Sequence, residues 1–220
     1  MFNFTQPKYS FVKSPFPYAG CKYPLLEELD KVIPAGDTLI DMFGGSGVVG
    51  VNMAYKFNRV IYNDLMEPLV FMHRNMVVDS LETILQNARD LSSKIPEKYA
   101  ELRGIYNYQV EILKQMHHNE GWQEIGYRFF GLMLSCTNNR VRFNRKGGFN
   151  QTCGKRQLTD PKVTEITLWK KKLDEISAKM AFNCLSFDDP WYNTFPDGTV
   201  IYADPPVFQY GSRIQRRLDC

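Results

Sequence analysis

Two short apolar runs near the start of the chain each end in a polar residue at a turn. Leu39-Ile40-Asp41-Met42 and Val60-Ile61-Tyr62-Asn63 have strand character, and a glycine turn and a helical stretch from Val48 to Phe57 separate them. That spacing predicts a βαβ unit. From Glu67 to Cys136 the apolar positions recur with helical period, with breaks expected at Pro96 and Gly121. This stretch is too long for a crossover and reads as a helical lobe. Residues 139–156, rich in Gly, Asn and basic side chains around Phe143 and Phe149, read as a β-hairpin or ordered loop. An amphipathic helix is expected from Pro161 to Met180, and two more strands at 181–187 and 199–203. The pattern predicts a Rossmann-like α/β sheet domain, 1–66 plus 157–220. The lobe, 67–156, is inserted in it and carries a basic hairpin at 138–156.

Composition changes this picture little, but the placement of charge does. The 220 residues are 44% hydrophobic, enough for a sizeable core, and the net charge is only +3. Between Asn138 and Arg156, however, stand six basic residues and no acid: Arg140, Arg142, Arg145, Lys146, Lys155 and Arg156. A block of that kind suits a polyanion, although a solvated loop would have the same composition. Five widely spaced cysteines without C-x-x-C, and three histidines without ligand spacing, argue against a disulfide scaffold or a metal site. They fit a reducing cytosol. No apolar run approaches membrane-spanning length and no signal-peptide core opens the chain, so an intracellular, soluble protein is expected.

Gly45-Ser46-Gly47-Val48-Val49-Gly50 matches G-x-G-x-x-G between a strand and a helix. Glycine there lets the backbone approach a ligand closely, and Asp64 at the tip of the next strand could accept both hydroxyls of a ribose. Those features fit a dinucleotide or S-adenosylmethionine equally. Asp41 tips the balance, because an anion beside the loop would repel a pyrophosphate but can pair with an ammonium group. A phosphate-binding P-loop is excluded, since no Gly-Lys-Ser/Thr follows. A nicotinamide-dependent oxidoreductase, suggested by the loop alone, lacks a proton relay and leaves the rest of the chain unexplained.

Ile201-Tyr202-Ala203-Asp204-Pro205-Pro206-Val207 is a second apolar run that ends in an acid. Phe16-Pro17-Tyr18-Ala19-Gly20-Cys21-Lys22 precedes the Asp41–Gly47 loop. Arg142-Phe143-Asn144, Lys146 to Asn150 and Gly154-Lys155-Arg156 form a third motif, and Phe187-Asp188-Asp189 a fourth. In this order the motifs resemble those of the Dam-type (D12 class) DNA adenine-N6 methyltransferases. The resemblance implies transfer of a methyl group from S-adenosylmethionine to adenine in double-stranded DNA, with the base flipped out of the helix. It implies a cofactor pocket of Tyr18, Lys22, Asp41, Phe43, Gly45, Gly47, Asp64, Asp189 and Asp204, and a catalytic motif of Asp204, Pro205, Pro206 and Val207. DNA would be met by Arg140, Arg142, Asn144, Arg145, Lys146, Phe149, Asn150, Lys155 and Arg156, with Phe149 either a packing residue or a base wedge. The setting would be the cytoplasm of a prokaryotic or phage-infected cell, on DNA, without metal or membrane.

The physics of the acidic motif agrees. An exocyclic adenine amine is a poor nucleophile because its lone pair is delocalised into the ring. A carboxylate and a neighbouring carbonyl that accept its two N–H bonds would localise that pair, and two prolines fix the turn without donating competing bonds. Two departures from the family carry expectations of their own. Val207 stands where an aromatic would stack on the flipped base, a contact of roughly 1–3 kcal/mol. The family continues beyond the position of Cys220, so the strands are expected in the order third, second, first, fourth, with the fourth an exposed apolar edge open to self-association. On that reading Arg213 to Cys220 would be out of frame, and the alternative function is a catalytically impaired relative that only binds DNA or cofactor.

Overall fold

A computed structural model describes residues 10–116, 121–137, 141–154 and 158–206. Four strands form one parallel sheet: β1 (Gly36–Asp41), β2 (Phe57–Asn63), β3 (Met180–Asn183) and β4 (Val200–Tyr202). Their order is β3-β2-β1-β4, the order that the family resemblance implies. Leu39 pairs with Val60 on one side and Val200 on the other, so the apolar runs of three strands lie in register. The chain leaves β1 toward β2 on one side and returns as β4 on the other. The C-terminal ends of β1 and β4 therefore flank a topological switch point, where such sheets bind ligands.

The first crossover is shorter than its pattern predicted. Helix α2 spans Val48–Met53, and a 3-10 turn over Ala54–Lys56 leads into β2 at Phe57. Before β1 lies a helix the sequence reading missed, α1 (Leu26–Val32), whose single buried residue Leu26 gives almost no periodic signal.

The long helical stretch is four helices: α3 (Glu67–Val78), α4 (Leu81–Ser93), α5 (Tyr99–Met116) and α6 (Trp122–Ser135). Breaks fall near Pro96 and Gly121 as expected, with a further one at Asp79-Ser80. Ser80 caps α4 by accepting the Thr83 N–H at 3.1 Å, while Asp79 receives the Tyr127 hydroxyl at 2.6 Å. Helix α6 is the lobe's core and packs on α3, α4 and α5. Phe129, Phe130, Leu132 and Met133 are at most 1% exposed, and each such side chain contributes roughly 1.5–3 kcal/mol of burial. Helix α7 (Asp160–Ile176) then leads through a 3-10 turn to β3.

Strands β3 and β4 are shorter than expected, and Ile201 of β4 is 47% exposed. No helix among the described residues is long and apolar enough to cross a membrane.

Candidate functional site

Three carboxylates stand at strand ends around the glycine loop. Asp41 closes β1, Asp64 follows β2 and Asp204 follows β4. Asp41 is only 1% exposed, and its Oδ2 accepts the Gly50 N–H at 2.9 Å. Burial, with Asp64 and Asp204 nearby, pushes its pKa up to about 7 against the pull of the Gly50 amide. Asp41 thus underpins the loop from below, and the open ammonium-pairing position expected from the sequence is corrected by its burial. Asp64 is partly open. Its Oδ2 accepts Gly45 N–H and its Oδ1 Met66 N–H, both at 2.9 Å, and burial raises its pKa.

The loop is built by close approach. Gly45 and Gly47 have φ of +50° and +73°, which favours glycine. A Cβ on Gly44 would lie 2.3 Å from the Tyr62 ring, and one on Gly47 would lie 2.7 Å from the His73 ring. The Gly45 carbonyl receives the Tyr62 hydroxyl at 2.8 Å and His73 Nε2 at 3.0 Å. A carbonyl only accepts, so Nε2 carries the proton. His73 packs between Phe16 and Tyr62, with ring centroids 4.3 and 4.5 Å away, and burial lowers its pKa to about 4. Asn63 secures the floor, donating to Met42 and Leu185 carbonyls and accepting from Leu185 N–H.

The structure brings most of the expected pocket residues to this loop. The Tyr18 ring covers Gly45, and burial raises its hydroxyl pKa. Phe43 faces Phe187 across 6.2 Å, and Phe187 is 56% exposed. Asp189 caps the 3-10 turn Pro190–Thr194 through the Trp191 N–H. Lys22 forms an ion pair with Asp204 and also donates to Gly20 O at 3.0 Å, which ties the N-terminal motif to the strand end carrying Pro205 and Pro206. Val207 lies outside the described residues, as do Arg140, Lys155 and Arg156.

The basic segment is a hairpin. Phe143 opposes Phe149, and Gly147 turns at φ +84° with Asn144 Oδ1 accepting Lys146 and Gly148 N–H. Phe149 is 1% exposed and packs edge-on to Tyr106, Phe129 and Phe143, so it is a packing residue and not a wedge. Asn107 of α5, which the sequence did not single out, holds both the N–H and the C=O of Phe149, at 2.7 and 3.0 Å. Arg142 reaches across to Asn150, while Arg142, Asn144, Arg145 and Lys146 are exposed.

A parallel sheet with a glycine loop and acidic strand ends at its switch point, beside a basic hairpin, defines a Rossmann-like methyltransferase architecture. Comparison with known families makes this specific. A family model matches residues 18–213, and the chain belongs to the D12 class N6 adenine-specific DNA methyltransferases. It is 28% identical over 192 residues to the DNA adenine methylase of Escherichia coli K12, covering 86% of this chain and 63% of that protein. It is 27% identical over 203 residues to modification methylase LlaI of Lactococcus lactis, covering 88% and 29% of the two chains. The DNA N-6-adenine-methyltransferase of Escherichia phage P1 is 26% identical over 202 residues, covering 91% and 25%. The chain thus spans less than two thirds of the length of each of these relatives. Among the described residues no cluster of three or more His, Cys, Asp or Glu could hold a metal.

Proposed function

We propose that this chain binds S-adenosylmethionine at the glycine loop and directs its methyl group to the N6 amine of adenine in double-stranded DNA. The observation that carries the reading is that Asp64 and Asp204 stand part-exposed at strand ends around one glycine loop, with Asp41 buried beneath it. Asp64 and Asp204, the two that are part-exposed, make the site favourable for a cation and hostile to a pyrophosphate. S-adenosylmethionine, a sulfonium, supplies an electrophilic methyl group. Asp64 and Asp189 would meet its ribose and adenine, and Phe43 with Phe187 would flank the base. Tyr18 would cover the loop side of the pocket.

Asp204 and the Pro205 carbonyl would accept the two N–H bonds of a flipped adenine and localise its lone pair. Lys22, paired with Asp204, orients that carboxyl. The exposed face of the hairpin, Arg142 to Lys146, would meet the DNA through phosphates and base edges. Methyl transfer from radiolabelled cofactor to unmethylated duplex, followed by base analysis, tests the reading. N6-methyladenine that disappears with Asp204→Ala is expected; no product, or label in cytosine, overturns it. Calorimetry tests the cofactor step separately. Asp64→Ala should lose on the order of 1.5–3 kcal/mol of S-adenosylmethionine binding, and equal affinity in the variant would remove Asp64 from the site.

A further inference from the structure

The hairpin is held at its neck by two strands that bring a pair of cysteines face to face. Cys136 follows α6 directly, Cys153 lies on the returning strand, and the two oppose each other across an antiparallel bridge. Thr137 N–H donates to Thr152 O at 3.0 Å on one side, and Gly154 N–H donates to Ser135 O at 2.7 Å on the other. Bonds flanking the pair in this way make it a non-hydrogen-bonded pair, the class in which opposed Cα atoms approach to about 4.5 Å. That lies inside the span of roughly 4.4–6.8 Å that a disulfide bridges. Opposed side chains share one face of the ribbon. Both residues are thiols here: Cys136 donates to Met133 O at 3.2 Å and Cys153 to Gly154 O at 3.3 Å. A Cβ on Gly154 would stand 3.0 Å from Cys136 O, so the returning segment passes close beside Cys136.

We propose that Cys136 and Cys153 form a dithiol modification site, which a low-molecular-weight disulfide such as oxidised glutathione closes to an intrachain disulfide at the neck of the hairpin. Cys153 is part-exposed and Cys136 buried, which sets the order of events. The Cys153 thiol releases its proton to solvent, and the thiolate attacks one sulfur of the oxidant, expelling one glutathione thiolate. The Cys136 thiol then releases its proton, and its sulfur attacks that of Cys153 and expels the second glutathione thiolate. Two protein thiols lose two electrons, and one glutathione disulfide gains them to become two thiols. Burial raises the Cys153 pKa, so closure quickens as pH rises. A disulfide holds its Cβ atoms at about 3.8 Å against about 4.5–5.5 Å for an opposed pair, so closure tightens the neck by roughly an ångström. The segment between the two cysteines carries Arg142, Asn144, Arg145 and Lys146 on a covalently closed loop.

The test treats the wild-type chain with oxidised glutathione at about pH 8, alkylates the remaining thiols and maps the linked peptides by mass. The expected product links the Cys136 and Cys153 peptides, is reversed by dithiothreitol, and shows slowed amide exchange in residues 137–152. In Cys136→Ala the reaction should stop at glutathione attached to Cys153; in Cys153→Ser it should leave residue 136 open to alkylation. Alkylation of both cysteines in the oxidised wild type, or linkage of either to Cys21, Cys184 or Cys220, overturns the site. Unchanged exchange in a correctly linked chain overturns the tightening of the hairpin. Neither readout uses DNA or cofactor, so the result is separate from that of the methyltransferase assay.

Discussion

His73 makes the strongest demand on the stability of the loop. Burial lowers its pKa from 6.5 to about 4, because a charged imidazole between Phe16 and Tyr62 would lose its water. Between those two values the unfolded chain binds a proton that the folded chain does not. Stability therefore rises with pH across the window and falls as pH drops through it. At pH 4 the loss amounts to about 3 kcal/mol from this one group. Asp41 opposes it: its folded pKa is raised from 3.8 to about 7, so its contribution is full at acid pH and is lost as pH rises through that range. Asp64 acts in the same direction as Asp41. The wild-type pH profile is thus a sum of opposing slopes, and the difference from His73→Gln isolates the histidine. Urea unfolding, followed by the fluorescence of the buried Trp122 and Trp169, gives that difference at each pH. His73→Gln should be the less stable chain near neutrality, since it loses ring packing and reshapes the bond to Gly45. The gap should narrow by about 3 kcal/mol as pH falls to 4. A gap that stays constant, or widens, refutes the burial of a neutral imidazole under the loop.

Asp41→Asn should have the opposite signature: it keeps an acceptor for Gly50 N–H, and its stability relative to wild type should grow as pH rises from about 4 to about 7, measured in the same unfolding series. A pH-independent difference would mean that Asp41 is solvated. Gly47→Ala should cost about 2 kcal/mol or more in thermal or urea unfolding, because it strains a φ of +73° and drives a methyl into the His73 ring; a chain as stable as wild type would show that the loop has another conformation. Asn107→Ala should lose roughly 1–3 kcal/mol with its two bonds to Phe149 and weaken DNA binding on every sequence alike, with S-adenosylmethionine affinity unchanged. Gel shifts on cognate and random duplexes, with calorimetry on cofactor, check this, and an unaltered DNA affinity would separate the hairpin from α5.

The parts of this molecule that were legible in its sequence are those where a local rule and the tertiary structure agree. An apolar run that ends in an acid close before Gly or Pro fits a strand that stops at the ligand edge of a sheet, so the places of Asp41 and Asp204 could be read before any coordinate. The order β3-β2-β1-β4 came from family resemblance, since nothing in four short apolar runs dictates which of them are neighbours. The expectations that failed are those where burial decides between chemically equal readings. Asp41 and Asp64 read alike as acids after strands. Asp41 belongs to a strand paired on both sides and lies beneath α2, so it is sealed, while Asp64 follows β2 into an open turn. Phe149 had two readings until Tyr106 and Phe129, far away in sequence, closed around it. Spacing tests His73 only as a metal ligand, whereas its place on the helix face of Leu69, Met72 and Met76, all buried, marks it as an interior residue. A polar residue placed on such a face must find a partner inside the protein. Here that partner is the carbonyl of Gly45, which shapes the loop proposed to hold the cofactor, so the cost of burying an imidazole is tied to the one turn the proposed chemistry cannot do without.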